Sequence, residues 1–349
     1  MIGGQVVAVV AALGVAGTAL ATFGAIRRQR RQEARRPEVE TKVRLIVFRA
    51  IDEGDLSPEA IQALTPLERR TLEAQARGLV ANLRGADRET LGRVLDRLGA
   101  VDAARAQTRS KRAGDRAKAG EFLGESGSPV AVRDLLELLQ DPDPKVRWAA
   151  ARGLGRLGHP SAVSPLLASL EGLRSVPVDV VADAVFQIRE CPVPVLREGL
   201  HSPSVPTRAV TVELLGRFQA LVAADDVIDL LHHDPSVEVR ARAARSLGRM
   251  GSPKAVEPLL AYVDGGPVAM RAQAIWALGE IGAPEALPYL RTCLLGPSPH
   301  LGELAADALS SMGQPGLGAL IEISQRDGTA AAIATRALAA KKTLQHSPA

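Results

Sequence analysis

The chain has 349 residues, a formal net charge of +4, 46% apolar residues and only 3% aromatic ones. A compact enzyme core of this length normally holds more large rings, whereas helices that stack through small residues need few. Two cysteines, Cys191 and Cys293, are too few for a disulfide framework and suit a reducing compartment as small buried apolar groups.

The basic balance is local. Arg27, Arg28, Arg30, Arg31, Arg35 and Arg36 stand in one ten-residue tract with a single acid, Glu33, and the rest of the chain is close to neutral. Duplex binding needs a basic stripe on the folded body, so no nucleic-acid partner is expected.

Residues 1–26 carry no charge. About 20 apolar residues span a ~30 Å hydrocarbon layer, so this run predicts a transmembrane helix. The competing reading is a leader cleaved after Ala21, which would export the body. It lacks a preceding positive charge, and its apolar run is long for a leader. The Arg27–Arg36 segment places positive charge after the span. That predicts a cell-membrane protein with one span, its N-terminus outside, its repeat domain cytoplasmic, and anionic lipid touching the arginines.

Residues 37–112 read as a helical cap region. Val39, Val43, Ile46, Val47 and Ala50 form one stripe. Ser57-Pro58 and Thr65-Pro66-Leu67-Glu68 are helix starts, the second a capping box with proline in its first turn. Helices are expected over 67–84 and 89–98. The segment 105–118, rich in Arg and Lys, reads as a solvated helix face and turn.

Residues 113–343 form a repeat array, followed by a tail over 344–349. The phrase Leu-Gly-x-x-Gly ends at Gly158, Gly251 and Gly282, with weaker copies ending at Gly127 and Gly313. The step is 31 residues, or three times 31 between 158 and 251. Proline follows each of these glycines by two residues, and Arg116, Arg147, Arg240 and Arg271 keep the same step. Two degenerate copies, Val178–Ile188 and Pro206–Phe218, hold the apolar pattern with a one-residue slip.

Each unit reads as two short helices. Proline opens the first, where its missing N–H costs nothing. Asp141-Pro142 and Asp234-Pro235 mark the turn between the two. The second helix buries Val146, Ala150 and Leu154, or Val239, Ala243 and Leu247, and closes on a left-handed glycine. Gly155, Gly248 and Gly279 stand inside that helix, which predicts close backbone contact there. The aligned arginines predict a ladder to carbonyls or aspartates of adjacent units. One pair cannot bury its own apolar face, so the fold class is all-α, an α-solenoid of stacked helical hairpins behind the transmembrane helix.

The phrase V-R-x-x-A-x-x-x-L-G-x-[LMI]-G-x-P-x-A resembles the short bacterial HEAT-like repeats related to phycobilisome lyases. That resemblance implies protein contacts, with second helices lining the concave face. Counting along those helices puts 148, 149, 152 and 156, and their counterparts, outward. Trp148, Arg152, Arg242, Arg245, Gln273 and Trp276 are the candidate contact patch for a protein partner, though the Trp rings could equally cover neighbouring helices. Similar anchored HEAT proteins suggest a membrane glycosyltransferase system as partner. The same resemblance admits two enzymes, a bilin lyase and an alkylpurine DNA glycosylase. The residues themselves offer no nucleophile with its base, no phosphate loop and no metal constellation; His232-His233-Asp234 reads as a solvated turn. A scaffold without catalytic activity or cofactor is the expectation.

Overall fold

The computed structural model describes residues 37–80, 82–83, 85–188 and 192–345. The expected transmembrane helix over 1–26, the basic segment 27–36, Cys191 and most of the expected tail lie outside them. Among the described residues no helix is long and apolar enough to cross a membrane. The expected single-span, cell-membrane location with a cytoplasmic repeat domain is corrected on that finding. The described helices reach at most 17 residues and bury one face against protein, where a span needs about 20 apolar ones.

The described residues are helical with no strand, and the chain divides into two compact units. One runs to Arg109 and includes 125–131; the other comprises Ser110–Gly124 and Val132 onward.

The first unit holds α1 (residues 37–53), α2 (Pro58–Gln62), α3 (Pro66–Val80), α4 (Gly85–Arg97) and α5 (Ala100–Gln107). Val43, Val47, Leu72, Ala76, Leu91, Leu95 and Val101 form its core. The Thr65 capping box closes as its spacing predicts. The Thr65 N–H donates to Glu68 Oε2 at 2.8 Å, and the Glu68 N–H donates back to Thr65 Oγ1 at 3.3 Å. Lys42 Nζ donates to the other carboxylate oxygen at 2.6 Å. That contact and the Thr65 donors hold the Glu68 carboxyl down at about 2.

The second unit is the stack. Its second helices are α6 (Ala113–Glu125), α8 (Pro144–Leu157), α10 (Val178–Gln187), α12 (Val205–Arg217), α14 (Val237–Met250), α16 (Val268–Ile281) and α18 (Pro299–Ser311). Its first helices are α7 (Ala131–Leu138), α9 (Val163–Ala168), α11 (Val193–Gly199), α13 (Ala224–His233), α15 (Val256–Gly265), α17 (Leu287–Leu295) and α19 (Gly313–Ser324), and α20 (Thr329–Gln345) ends it. Prolines 160, 253 and 284 open a single 3-10 turn before the first helix. Gly127, Gly158, Gly251, Gly282 and Gly313 all have φ between 64° and 74°. Successive second helices pack on each other far more extensively than successive first helices do. The second helices therefore form the more closely packed, inner layer of the stack.

The interior glycines set how closely those helices approach. A Cβ on Gly155 would lie 2.6 Å from Ala184 Cα, on Gly248 2.7 Å from Ala277 Cα, and on Gly279 2.6 Å from Ala308 Cα. Real Cβ atoms do not come that near backbone, so these columns require glycine. The slipped copy keeps the device: a Cβ on Gly216 would meet Ser246 Oγ at 2.5 Å.

An arginine ladder joins the turns. Arg116 grips Asp141 of the next unit with Nε and Nη2, at 2.7 and 2.8 Å, and Arg208 grips Asp234 likewise, at 2.7 and 3.1 Å. In Arg208 the third nitrogen, Nη1, donates to its own turn, to the carbonyls of Ser202 and Pro203. Burial alone pushes the Asp141 and Asp234 carboxyls up. Their arginines and the N–H groups of Asp143 and Ser236 outweigh it and hold both below the usual carboxylate range. Among the described residues Arg147 and Arg240 grip their own turn carbonyls and no aspartate of the next unit, and Arg147 Nε is buried without a hydrogen-bond partner there.

Candidate functional site

On α14, Val239, Ala243, Leu247 and Gly248 face the core, which turns Arg242, Arg245 and Arg249 toward the inner surface. With Glu213 of α12, Glu238, Ala241 and Ser246 of α14 and Gln273 of α16 they line a cleft of about 360 Å³. Ser246 fixes its floor by donating to the Val212 carbonyl at 2.7 Å.

The three arginines are not equivalent. Arg242 is held by two acids, Glu213 across the helix boundary and Glu238 one turn back at 3.0 Å. Arg245 meets no acid among the described residues. Its guanidinium stands 5.4 Å from the Trp276 ring centroid, a cation–π geometry. Arg249 also lacks an acid among the described residues, and it lies one turn beyond Arg245 on the same face. Two guanidinium groups therefore remain able to receive an anionic group, beside an amide and an indole.

The structure gathers Arg242, Arg245 and Gln273 around this cleft, with Trp276 at its edge. Trp276 also covers its neighbour, since its Cζ3 would lie 3.1 Å from a Cβ on Gly248. Trp148 and Arg152 are exposed but sit on α8, with α10 and α12 intervening before α14. The six candidates are thus four residues of one site and two elsewhere. Ala149, expected to point outward, is buried, because α8 packs that face on α6 near Gly120. The repeat spacing does not mark Glu213, because α12 lies in the slipped copy; its position on the inner face follows only when Gly216 is matched to Gly248.

Nothing in the cleft marks a metal or cofactor. Among the described residues no three His, Cys, Asp or Glu side chains come together as metal ligands. His233 is exposed and pairs with Asp229 at 2.9 Å.

The sequence profile of HEAT repeats matches residues 101–184, 193–269 and 264–339, about two thirds of the chain. No curated protein matches it. Among solved structures, the chain is similar to the complex of CpcE and CpcF of phycocyanin lyase from Nostoc sp. PCC7120. Identity there is 23% over 70% of this chain and 94% of that one, with a TM-score of 0.35. It is similar to YibA of E. coli at 20% identity over 70% and 97% of the two chains, TM-score 0.44. A Kap121p mutant is similar at 12% identity and TM-score 0.53; 85% of this chain is covered, but only 39% of that one. The last likeness supports the fold, an all-α solenoid, and at this identity no more than the fold.

Proposed function

The chain belongs to the HEAT-repeat family, and from that premise we propose that it is a non-enzymatic scaffold that holds a protein partner on the inner face of α14 and α16. The observation behind this reading is the pair Arg245 and Arg249, without acid partners among the described residues, beside Gln273 in one cleft with Trp276 against Arg245 at its edge. Arginine and tryptophan are the side chains that most often anchor protein interfaces. The surrounding array supports the role, because stacked units keep a long surface in fixed geometry with little reorganisation on binding.

The test is a photo-crosslinking amino acid at Gln273, with Glu257 on a first helix as the control, in the native cell. A discrete protein adduct from 273, lost on adding Arg245→Glu and absent from 257, is expected. An adduct indifferent to Arg245→Glu would refute the proposed face.

A further inference from the structure

The ladder varies along the stack. The residue before the turn proline receives the arginine of the preceding unit, and it is Asp141 for Arg116 and Asp234 for Arg208. For Arg240 and Arg271 that residue is Gly266 and Gly296. Beside Arg271 lies a cavity of about 410 Å³, lined among others by Arg271, Cys293, Thr292, Ser298, Tyr289 and Leu301. Arg271 Nε donates to the Val263 carbonyl at 3.1 Å, and Arg271 makes no ion pair among the described residues. Asp264 also lines the cavity, exposed and unpaired with Arg271. Burial pushes the Cys293 thiol up, so it stays neutral and adds no competing negative charge despite Arg271 beside it.

We propose that this cavity is a carboxylate-binding site in which an acid from outside the chain takes, on Arg271, the place that Asp141 and Asp234 take on Arg116 and Arg208. Two rungs of the same molecule display the class of contact, one edge of a guanidinium set on both carboxylate oxygens; on Arg271, whose Nε is engaged by the Val263 carbonyl, the incoming acid takes the Nη1 and Nη2 edge. The apolar wall of Tyr289, Leu301, Pro288 and Pro297 gives room for the body that carries the acid. That body is a small organic acid or the Asp or Glu side chain of a peptide segment, and the two are separable.

The full chain, labelled with 15N-arginine, is titrated with sodium acetate, with N-acetyl-Ala-Asp-Ala-amide and with its Asn counterpart. The Arg271 Nε–H resonance is followed throughout. A saturable shift with acetate and the Asp peptide is expected, weaker by about tenfold or more with the Asn peptide. Binding of the Asp peptide about tenfold tighter than acetate assigns the site to a peptide acid, and equal binding to a small organic acid. Gly296→Asp supplies the acid in cis; its φ of −73° suits any residue, and its Cβ would lie 3.2 Å from the Cys293 carbonyl. That variant is expected to stay folded and no longer titrate. Arg271→Gln, uniformly 15N-labelled beside a uniformly labelled parent and followed through the Thr292 and Ser298 amides, is expected to lose saturation. No saturable shift in the parent, or saturation retained in Arg271→Gln or in folded Gly296→Asp, overturns the site.

Discussion

Arg208 and Asp234 are joined fork to fork, Nε to Oδ2 at 2.7 Å and Nη2 to Oδ1 at 3.1 Å, with side chains 10% and 1% exposed. The pair links the turn of one unit to the turn of the next while Arg208 also ties down its own Ser202 and Pro203 carbonyls. Removing one partner leaves a buried charge unsatisfied. Asp234→Ala is expected to cost about 3–5 kcal/mol. The double change Arg208→Met with Asp234→Leu is expected to cost clearly less, because no charge is stranded. Denaturant midpoints of the three proteins check this, and a double variant no better than the single one would speak against it.

The glycine columns make opposite predictions at two helical sites. A Cβ on Gly248 would strike Ala277 Cα at 2.7 Å, so Gly248→Ala is expected to cost about 1–3 kcal/mol by forcing α14 and α16 apart. Gly318 on α19 has nothing within 4 Å of its Cβ position. Gly318→Ala is expected to stabilise by about 0.5–1 kcal/mol through helix propensity. Thermal midpoints shifting in the same direction would contradict the contact map.

Gln219 has φ +52°, the left-handed conformation that glycine supplies at the other repeat ends. A side chain pays roughly 1–2 kcal/mol to be there. Gln219→Gly is therefore expected to raise the unfolding free energy by about 1 kcal/mol, read from denaturant unfolding. No gain would mean that the Gln219 side chain makes compensating contacts.

Glu68 supplies a pH dependence to the first unit. Its folded value of about 2 lies below the ordinary 4.5, so the folded state holds this proton less tightly than the unfolded one. The stabilisation is complete above about 4.5 and disappears as pH falls toward 2. Glu68→Gln is expected to flatten stability over that window while lowering it near neutrality. Circular dichroism melts from pH 6 to about 2 test it; parallel slopes for the two proteins would exclude Glu68 as a source.

Much of this was legible in the sequence. The 31-residue step, the closing glycines and the Thr65–Glu68 box each follow from a local chemical need that the residue types declare. The middle of the array was not, and the reason is metrical. Gly158, Gln219 and Gly251 are equivalent ends; the 61 residues between the first two hold two units and the next 32 hold one, so the total of 93 conceals steps that are not all 31. Arg208 and Glu213 sit behind that slip, and Gln219 does the work of a glycine without being one. The outward columns were partly wrong at Ala149, because a second helix in a stack is covered on both flanks and leaves only a narrow open face. The cleft itself depends on which acids reach Arg242 from another helix, a matter of tertiary distance that spacing along one helix does not contain.

Hydrogen exchange of the chain, alone and with the partner captured through position 273, tests the central claim most directly. Slower exchange confined to residues 241–249 and 272–280, with the outer helices α13 and α15 unchanged, is the predicted footprint. Protection on those outer helices or in the first unit, with α14 and α16 exchanging as before, would contradict it.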